Sequence, residues 1–165
     1  MDKKILLLNT GGTFNKIYEP ISGELVVDDN ASALHSIAKK WQCDLDIVSI
    51  INKDSLYINT QDRIEMLSMI IQSEYNNIII IHGTDTMELS AEYIADAEVE
   101  KKIVFTGAMV PYSIDATEAT ANLAMAYGFL QKCEQNGVYI SMNGLLKSYD
   151  DITKDRDKGV FISTK

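Results

Sequence analysis

The sequence predicts an α/β domain, a doubly wound and mostly parallel sheet with helices on both faces, from three observations. Short uninterrupted apolar runs recur along the chain, a glycine-bearing turn follows most of them, and stretches of helical periodicity separate them. Continuous apolar strands mark a parallel sheet covered on both sides, and strand–helix alternation marks βαβ winding. The 165 residues fit one domain, and no internal repeat, linker or Pro/Gly/Ser-rich boundary divides them.

Taken in order, Ile5–Leu8 is the first apolar run and stops at Thr10-Gly11-Gly12-Thr13. The segment from Thr13 to Glu24 holds Pro20, Ser22 and Gly23 and follows neither period, so it reads as a mobile loop. Ala31–Trp41 predicts a helix with Leu34, Ile37, Ala38 and Trp41 on one face. Leu45–Ile51 is a β-branched strand interrupted by Asp46 and Ser49. Thr60–Tyr75 predicts a helix burying Ile64, Leu67 and Ile71, with Met66 and Ile70 as further core candidates. Ile78–Ile81 ends at His82-Gly83, and a helix over Met87–Ala97 follows. Ile103–Phe105 leads into Thr106-Gly107. Asp115–Cys133 is the longest helix, and Asp115-Ala116-Thr117-Glu118 reads as a capping box with Asp in place of Ser or Thr. Val138–Met142 leads into Asn143-Gly144, and Gly159–Ile162 is a further strand candidate. Open α/β sheets bind ligands beyond the carboxyl ends of their strands, so the glycine-bearing loops are the segments to search.

Composition narrows the function. At 46% hydrophobic and 24% charged, the chain is neither disordered nor fibrous. A net charge of −9 repels nucleic acid and anionic membrane surfaces, so neither is expected as a partner. Cys43 and Cys133 make neither a disulfide framework nor a zinc site, and no metal or cofactor motif occurs. Only Ile5-Leu6-Leu7-Leu8 follows the charged start, shorter than a secretory or membrane-spanning stretch, which gives a cytoplasmic expectation.

The strand-end loops carry small hydroxyl residues and carboxylates: Thr10-Gly11-Gly12-Thr13, His82-Gly83-Thr84-Asp85-Thr86, Thr106-Gly107-Ala108-Met109 and Ser141-Met142-Asn143-Gly144. Neither phosphate-binding glycine pattern is present, so nucleotide readings lack support. His35 and His82 are the only histidines, and a histidine triad would rest on His82, which equally reads as a strand-end side chain satisfied by backbone. A nucleophile here is therefore a threonine or serine activated by lysine or tyrosine, with Tyr18 and Lys154 as candidates.

Those same segments, with Thr86-Met87, Pro111 and Ile152-Thr153-Lys154, resemble the bacterial-type L-asparaginase/glutaminase family in order and over nearly the whole chain. The resemblance implies a cofactor-free amidohydrolase that converts asparagine to aspartate and ammonia. It implies Thr13 as nucleophile, Tyr18 as the loop tyrosine activating it, and Gly12 as part of the binding loop. Ser55 would bind the substrate α-carboxylate. Thr84 and Asp85 would be the second threonine site and the ammonium acceptor, and Lys154 the lysine joined to both. Backbone amides of the Gly11-Gly12 and Thr84 loops would supply an oxyanion hole, worth roughly 2.7–4 kcal/mol per donor. Typical members carry a second, carboxy-terminal domain that often completes a neighbouring subunit's site. This chain is read as a short single-domain branch, with a homodimer or higher homo-oligomer expected. Singly, each motif has a structural reading: a turn, a helix cap at Thr84-Asp85, a solvated charge run around Lys154. Their coincidence favours the enzyme over the alternative, an asparaginase-like amino-acid-binding or sensor domain.

Overall fold

The structure, a computed structural model, describes residues 3–165. Five parallel strands form the sheet: β1 (Ile5–Gly11), β4 (Leu45–Lys53), β5 (Asn77–Ile81), β6 (Lys102–Thr106) and β7 (Gly137–Met142). Their order is β4-β1-β5-β6-β7, and β8 (Leu145–Ser148) adds antiparallel to β7 at the far edge. The predicted doubly wound architecture is what forms. The order of strand addition reverses between β1 and β5, so the crevice at a topological switch point opens beyond the carboxyl ends of those two parallel strands.

Successive side chains of a strand point to opposite faces, and the core follows that alternation. Leu6, Leu8, Ile78, Ile80, Ile103 and Phe105 pack with Met66 and Ile70 of α2 (Thr60–Gln72) and Met87, Ala91 and Ile94 of α3 (Met87–Asp96). Ile5, Leu7, Ile79, Ile81 and Val104 pack on the other face with Leu34 and Ile37 of α1 (Ser32–Trp41). Ala119, Leu123, Ala126 and Leu130 of α4 (Ala116–Lys132) complete that layer. All four isoleucines of β5 are fully buried, each stabilising the fold by about 1.5–3 kcal/mol.

Several expectations are corrected. The Thr13–Glu24 segment is not an irregular loop: after a 3₁₀ turn at Thr13–Asn15 it forms the antiparallel hairpin β2 (Lys16–Glu19) and β3 (Glu24–Val27). In α2 the buried residues are Asp62, Met66 and Ile70, whereas Ile64 and Ile71 are exposed. The capping box between Asn59 and Asp62, reinforced by Lys53 Nζ on the Asp62 carboxylate at 2.8 Å, sets the rotation of that helix. At α4, Asp115 caps through the Thr117 N–H, but Glu118 does not reach back to it; its carboxylate accepts the Met109 N–H instead. Asn143-Gly144, with φ of +54° and +75°, is a two-residue hairpin turn that sends β8 back along β7. Beyond it, β9 (Ile152–Asp155) and β10 (Val160–Ser163) form a second hairpin. Ile152 and Phe161 bury on the α3 face of the sheet, and Asn143 Oδ1 accepts the Phe161 N–H at 2.8 Å.

Candidate active site

Two loops at the switch point are in close packing. Gly12, at φ +75°, lies against the loop after β5 so tightly that a Cβ there would sit 2.5 Å from Gly83 N. A Cβ on Gly83 would in turn sit 2.6 Å from Ser55 Oγ. These two positions therefore exclude any side chain, and their close approach gathers Thr13, Ser55 and Thr84-Asp85 at one place. The first loop is fixed from beneath. Asn9 Oδ1 accepts Gly11 N–H at 3.1 Å and Asn15 Nδ2 at 2.9 Å, and Thr10 Oγ1 donates to Ile81 O at 2.6 Å. Thr10 is thereby buried and occupied, whereas Thr13 is half-buried and its hydroxyl has no hydrogen-bond partner among the described residues.

Ser55 opens a 3₁₀ turn at Ser55–Tyr57 and is buried. Its Oγ accepts the Asp85 N–H at 3.2 Å, and its carbonyl accepts the Thr86 hydroxyl at 2.8 Å. Thr86 stands at the N-cap position of α3 without capping it, so the amino-terminal end of that helix keeps its positive partial charge toward the site. Lys154, on β9, arrives from the far end of the chain. Its Nζ donates to Thr84 Oγ1 and to Asp85 Oδ1, at 2.9 Å each, with a side chain only 6% exposed. Thr84 Oγ1 passes its own hydrogen to Met109 Sδ at 3.3 Å. The Glu118 bond to Met109 N–H thus holds the loop after β6 against the site.

One expected role changes, and one expected residue lies away from Thr13. Gly12 N–H donates to Lys53 O at 2.9 Å and Gly11 N–H to Asn9 Oδ1, so neither amide is free for an oxyanion. Gly12 acts through its missing side chain. Tyr18, on β2, is 62% exposed and its phenol has no hydrogen-bond partner among the described residues, so it is not brought onto Thr13. The hairpin carrying it is fastened at its base by Lys16 Nζ on Asp54 Oδ2 at 2.7 Å, beside Ser55. That ion pair and two hydrogen bonds from the Leu56 N–H and Lys16 Nζ outweigh burial and hold the Asp54 carboxyl below its usual range.

His82 belongs to the scaffold. It is fully buried, with Nδ1 2.7 Å from Gly83 O and Nε2 2.7 Å from Ser90 Oγ, which also accepts Arg63 Nε at 3.0 Å. Burial, aided by the Arg63 charge and only partly opposed by the Gly83 bond, pushes its pKa from 6.5 down to about 4. The folded protein therefore binds fewer protons than the unfolded chain between those values. The His82 contribution to stability is full above pH 6.5 and is lost, on the order of 3 kcal/mol, as pH drops to 4. Thermal melts of wild type and His82→Gln should converge on acidification across that window; parallel curves would contradict the assignment.

Arg156 escaped the sequence reading. Its Nη2 donates to Asp85 O at 2.7 Å and its Nη1 lies 3.5 Å from Asp85 Oδ1. The signal available was its place two residues beyond Lys154, in the turn that follows β9. Among the described residues, no group of three or more His, Cys, Asp or Glu side chains is placed to hold a metal ion. No helix there is long and apolar enough to cross a membrane.

The family described as Asparaginase, N-terminal, matches residues 4–160. The chain belongs to this family. It is 27% identical over 143 residues to an L-asparaginase of Thermococcus kodakarensis, covering 84% of this chain and 43% of that protein. It is 28% identical to a probable periplasmic L-asparaginase of Haemophilus influenzae, covering 91% and 46%. The solved thermostable L-asparaginase from Thermococcus kodakarensis superposes with a TM-score of 0.82 at 25% identity, over 97% of this chain and 51% of that one. L-asparaginase I from Vibrio cholerae shares the fold, with a TM-score of 0.86 at 21% identity, over 99% and 52%. The chain thus spans about half the length of these asparaginases, as their amino-terminal domain.

Proposed function

We propose that this domain carries the amide-hydrolysing site of an asparaginase and converts L-asparagine to L-aspartate and ammonia. The observation that carries the reading is Lys154 Nζ, 2.9 Å from both Thr84 Oγ1 and Asp85 Oδ1 across about 70 residues of chain. A pure amino-acid binder has no use for a buried lysine on a threonine hydroxyl, and that disfavours the sensor alternative.

Asparagine presents an ammonium, a carboxylate and an amide close together. Asp85 Oδ2 receives the ammonium, since Lys154 and Arg156 both lie on Oδ1. The Ser55 hydroxyl and the amino-terminal end of α3 receive the carboxylate. Thr13 Oγ1 attacks the side-chain amide carbon, and with the Gly11 and Gly12 amides engaged, those of Thr13 and Thr84 are left to face the oxyanion. The phenol oxygen of Tyr18 accepts the Thr13 proton and passes its own to the departing nitrogen. Ammonia leaves, and water releases aspartate from the ester.

This requires the β2–β3 hairpin to close, bringing Tyr18 in from its exposed position. Aspartate at saturation should slow amide exchange over residues 16–27 relative to the empty protein; equal exchange with and without it would make the hairpin static. The exposed apolar side chains Ile17, Ile21 and Leu25 beside Tyr18 support association into a homo-oligomer that covers this hairpin.

The test is ammonia release from L-asparagine by the purified protein, with one aspartate formed per ammonia. Binding of asparagine without release would select the sensor reading.

A further inference from the structure

We propose that Arg156 is a specificity-determining residue that reads the free α-carboxylate of the substrate; the proposal rests on the asparagine-site reading. The Arg156 guanidinium straddles Asp85, but its short bond, 2.7 Å, goes to the Asp85 carbonyl oxygen rather than the carboxylate, which lies 3.5 Å away. A main-chain carbonyl anchors a guanidinium without neutralising it. The carboxylate oxygen nearest Arg156, Oδ1, already accepts Lys154 at 2.9 Å. Two cations therefore sit on one carboxylate oxygen of Asp85.

No other carboxylate among the described residues pairs with the Arg156 guanidinium. Glu88 accepts the Lys154 main-chain N–H at 3.3 Å, and Asp155 pairs with Lys158 at 3.6 Å. A guanidinium has five N–H donors, and in Arg156 only Nη2 makes a hydrogen bond among the described residues. Its side chain is 59% exposed, open to a ligand from solvent. Asp85, the residue it grips, also donates its N–H to Ser55 Oγ at 3.2 Å, so the cation and the Ser55 hydroxyl border the same residue.

The location matters in a chain of net charge −9, whose overall field opposes an incoming carboxylate. A fork of N–H donors beside the ammonium-binding Asp85 matches a ligand with carboxylate and ammonium on one carbon, that is, a free amino acid. Asparagine whose carboxylate is capped as an amide or continued into a peptide lacks the group Arg156 reads. Arg156 thereby restricts the site to free amino acids.

The experiment compares wild type, Arg156→Met and Arg156→Lys with L-asparagine, L-aspartate and L-asparagine α-amide. Arg156→Met should raise the asparagine KM and the aspartate Kd about tenfold, with kcat within twofold, and shift α-amide binding less than twofold. Arg156→Lys should recover part of the loss. An equal loss for all three ligands would reduce Arg156 to a brace for Asp85, and no loss would make it a surface residue; either overturns the proposal. The two readings fail separately. Aspartate binding that depends on Arg156 without ammonia release removes the hydrolase and keeps the carboxylate role. Ammonia release that ignores Arg156 does the reverse.

Discussion

Thr13→Ala is expected to lower kcat for asparagine by roughly 10⁴-fold or more, because the variant lacks the attacking atom. The fold should not register the change. The Thr13 hydroxyl makes no hydrogen bond among the described residues and the residue is only half-buried, so its removal should alter stability by less than about 0.5 kcal/mol. Its neighbour Thr10 provides the contrast. Thr10 is fully buried with its hydroxyl on Ile81 O, and Thr10→Ala should cost about 1 kcal/mol or more in stability. Steady-state ammonia release and thermal melts on both variants check this pair. A Thr13→Ala enzyme with wild-type kcat would move the nucleophile to Thr84.

Lys154→Met should cost roughly 10²–10⁴-fold in kcat, the range for a positioned proton-transfer or charge-bearing group. The methionine stem fills the space of the buried lysine stem, but Thr84 Oγ1 loses its donor and Asp85 its closest cation. Asp85 is 37% exposed and retains Arg156, so solvent and that guanidinium screen the unpaired carboxylate. Melting should fall by only a few degrees as a result. Lys154→Arg should not restore activity, since a planar fork cannot place one nitrogen on both oxygens as the ammonium does. An unchanged rate in either variant would return Lys154 to the acidic surface run around it.

The sheet was legible in the sequence because its strands are apolar on both faces. Ile78–Ile81 and Ile103–Phe105 need no partner to declare themselves, and the structure extends each by only a residue or so. The hairpins were harder to read. In β2, Ile17 and Tyr18 are both exposed, so no buried–exposed alternation marks the strand, and its register comes from backbone pairing with β3. The rotation of α2 was misjudged for a related reason. Ile64 and Ile71 extend as good an apolar stripe from Leu67 as Met66 and Ile70 do, and the polar anchor at Asp62 turns Met66 and Ile70 inward with Leu67 packed beside them.

At the site, motifs reported which residues meet but not how each is used. The meeting of Thr84, Asp85 and Lys154 followed from the motif order. The engagement of the Gly11 and Gly12 amides, the Met109 sulfur on Thr84 and the grip of Arg156 on the Asp85 carbonyl depend on backbone placement across separate loops, which residue spacing does not encode.

The central claim is that Thr13 takes up the aspartyl group, and acid-quenched peptide mass mapping during asparagine turnover tests it most directly. Cleavage after lysine and arginine separates the two threonine candidates, since Thr13 falls in the peptide Ile5–Lys16 and Thr84 in Ile64–Lys101. The mass of one aspartyl group should appear on Ile5–Lys16, and fragmentation should place it on Thr13. The same mass on Ile64–Lys101, with Ile5–Lys16 unmodified, would contradict the account.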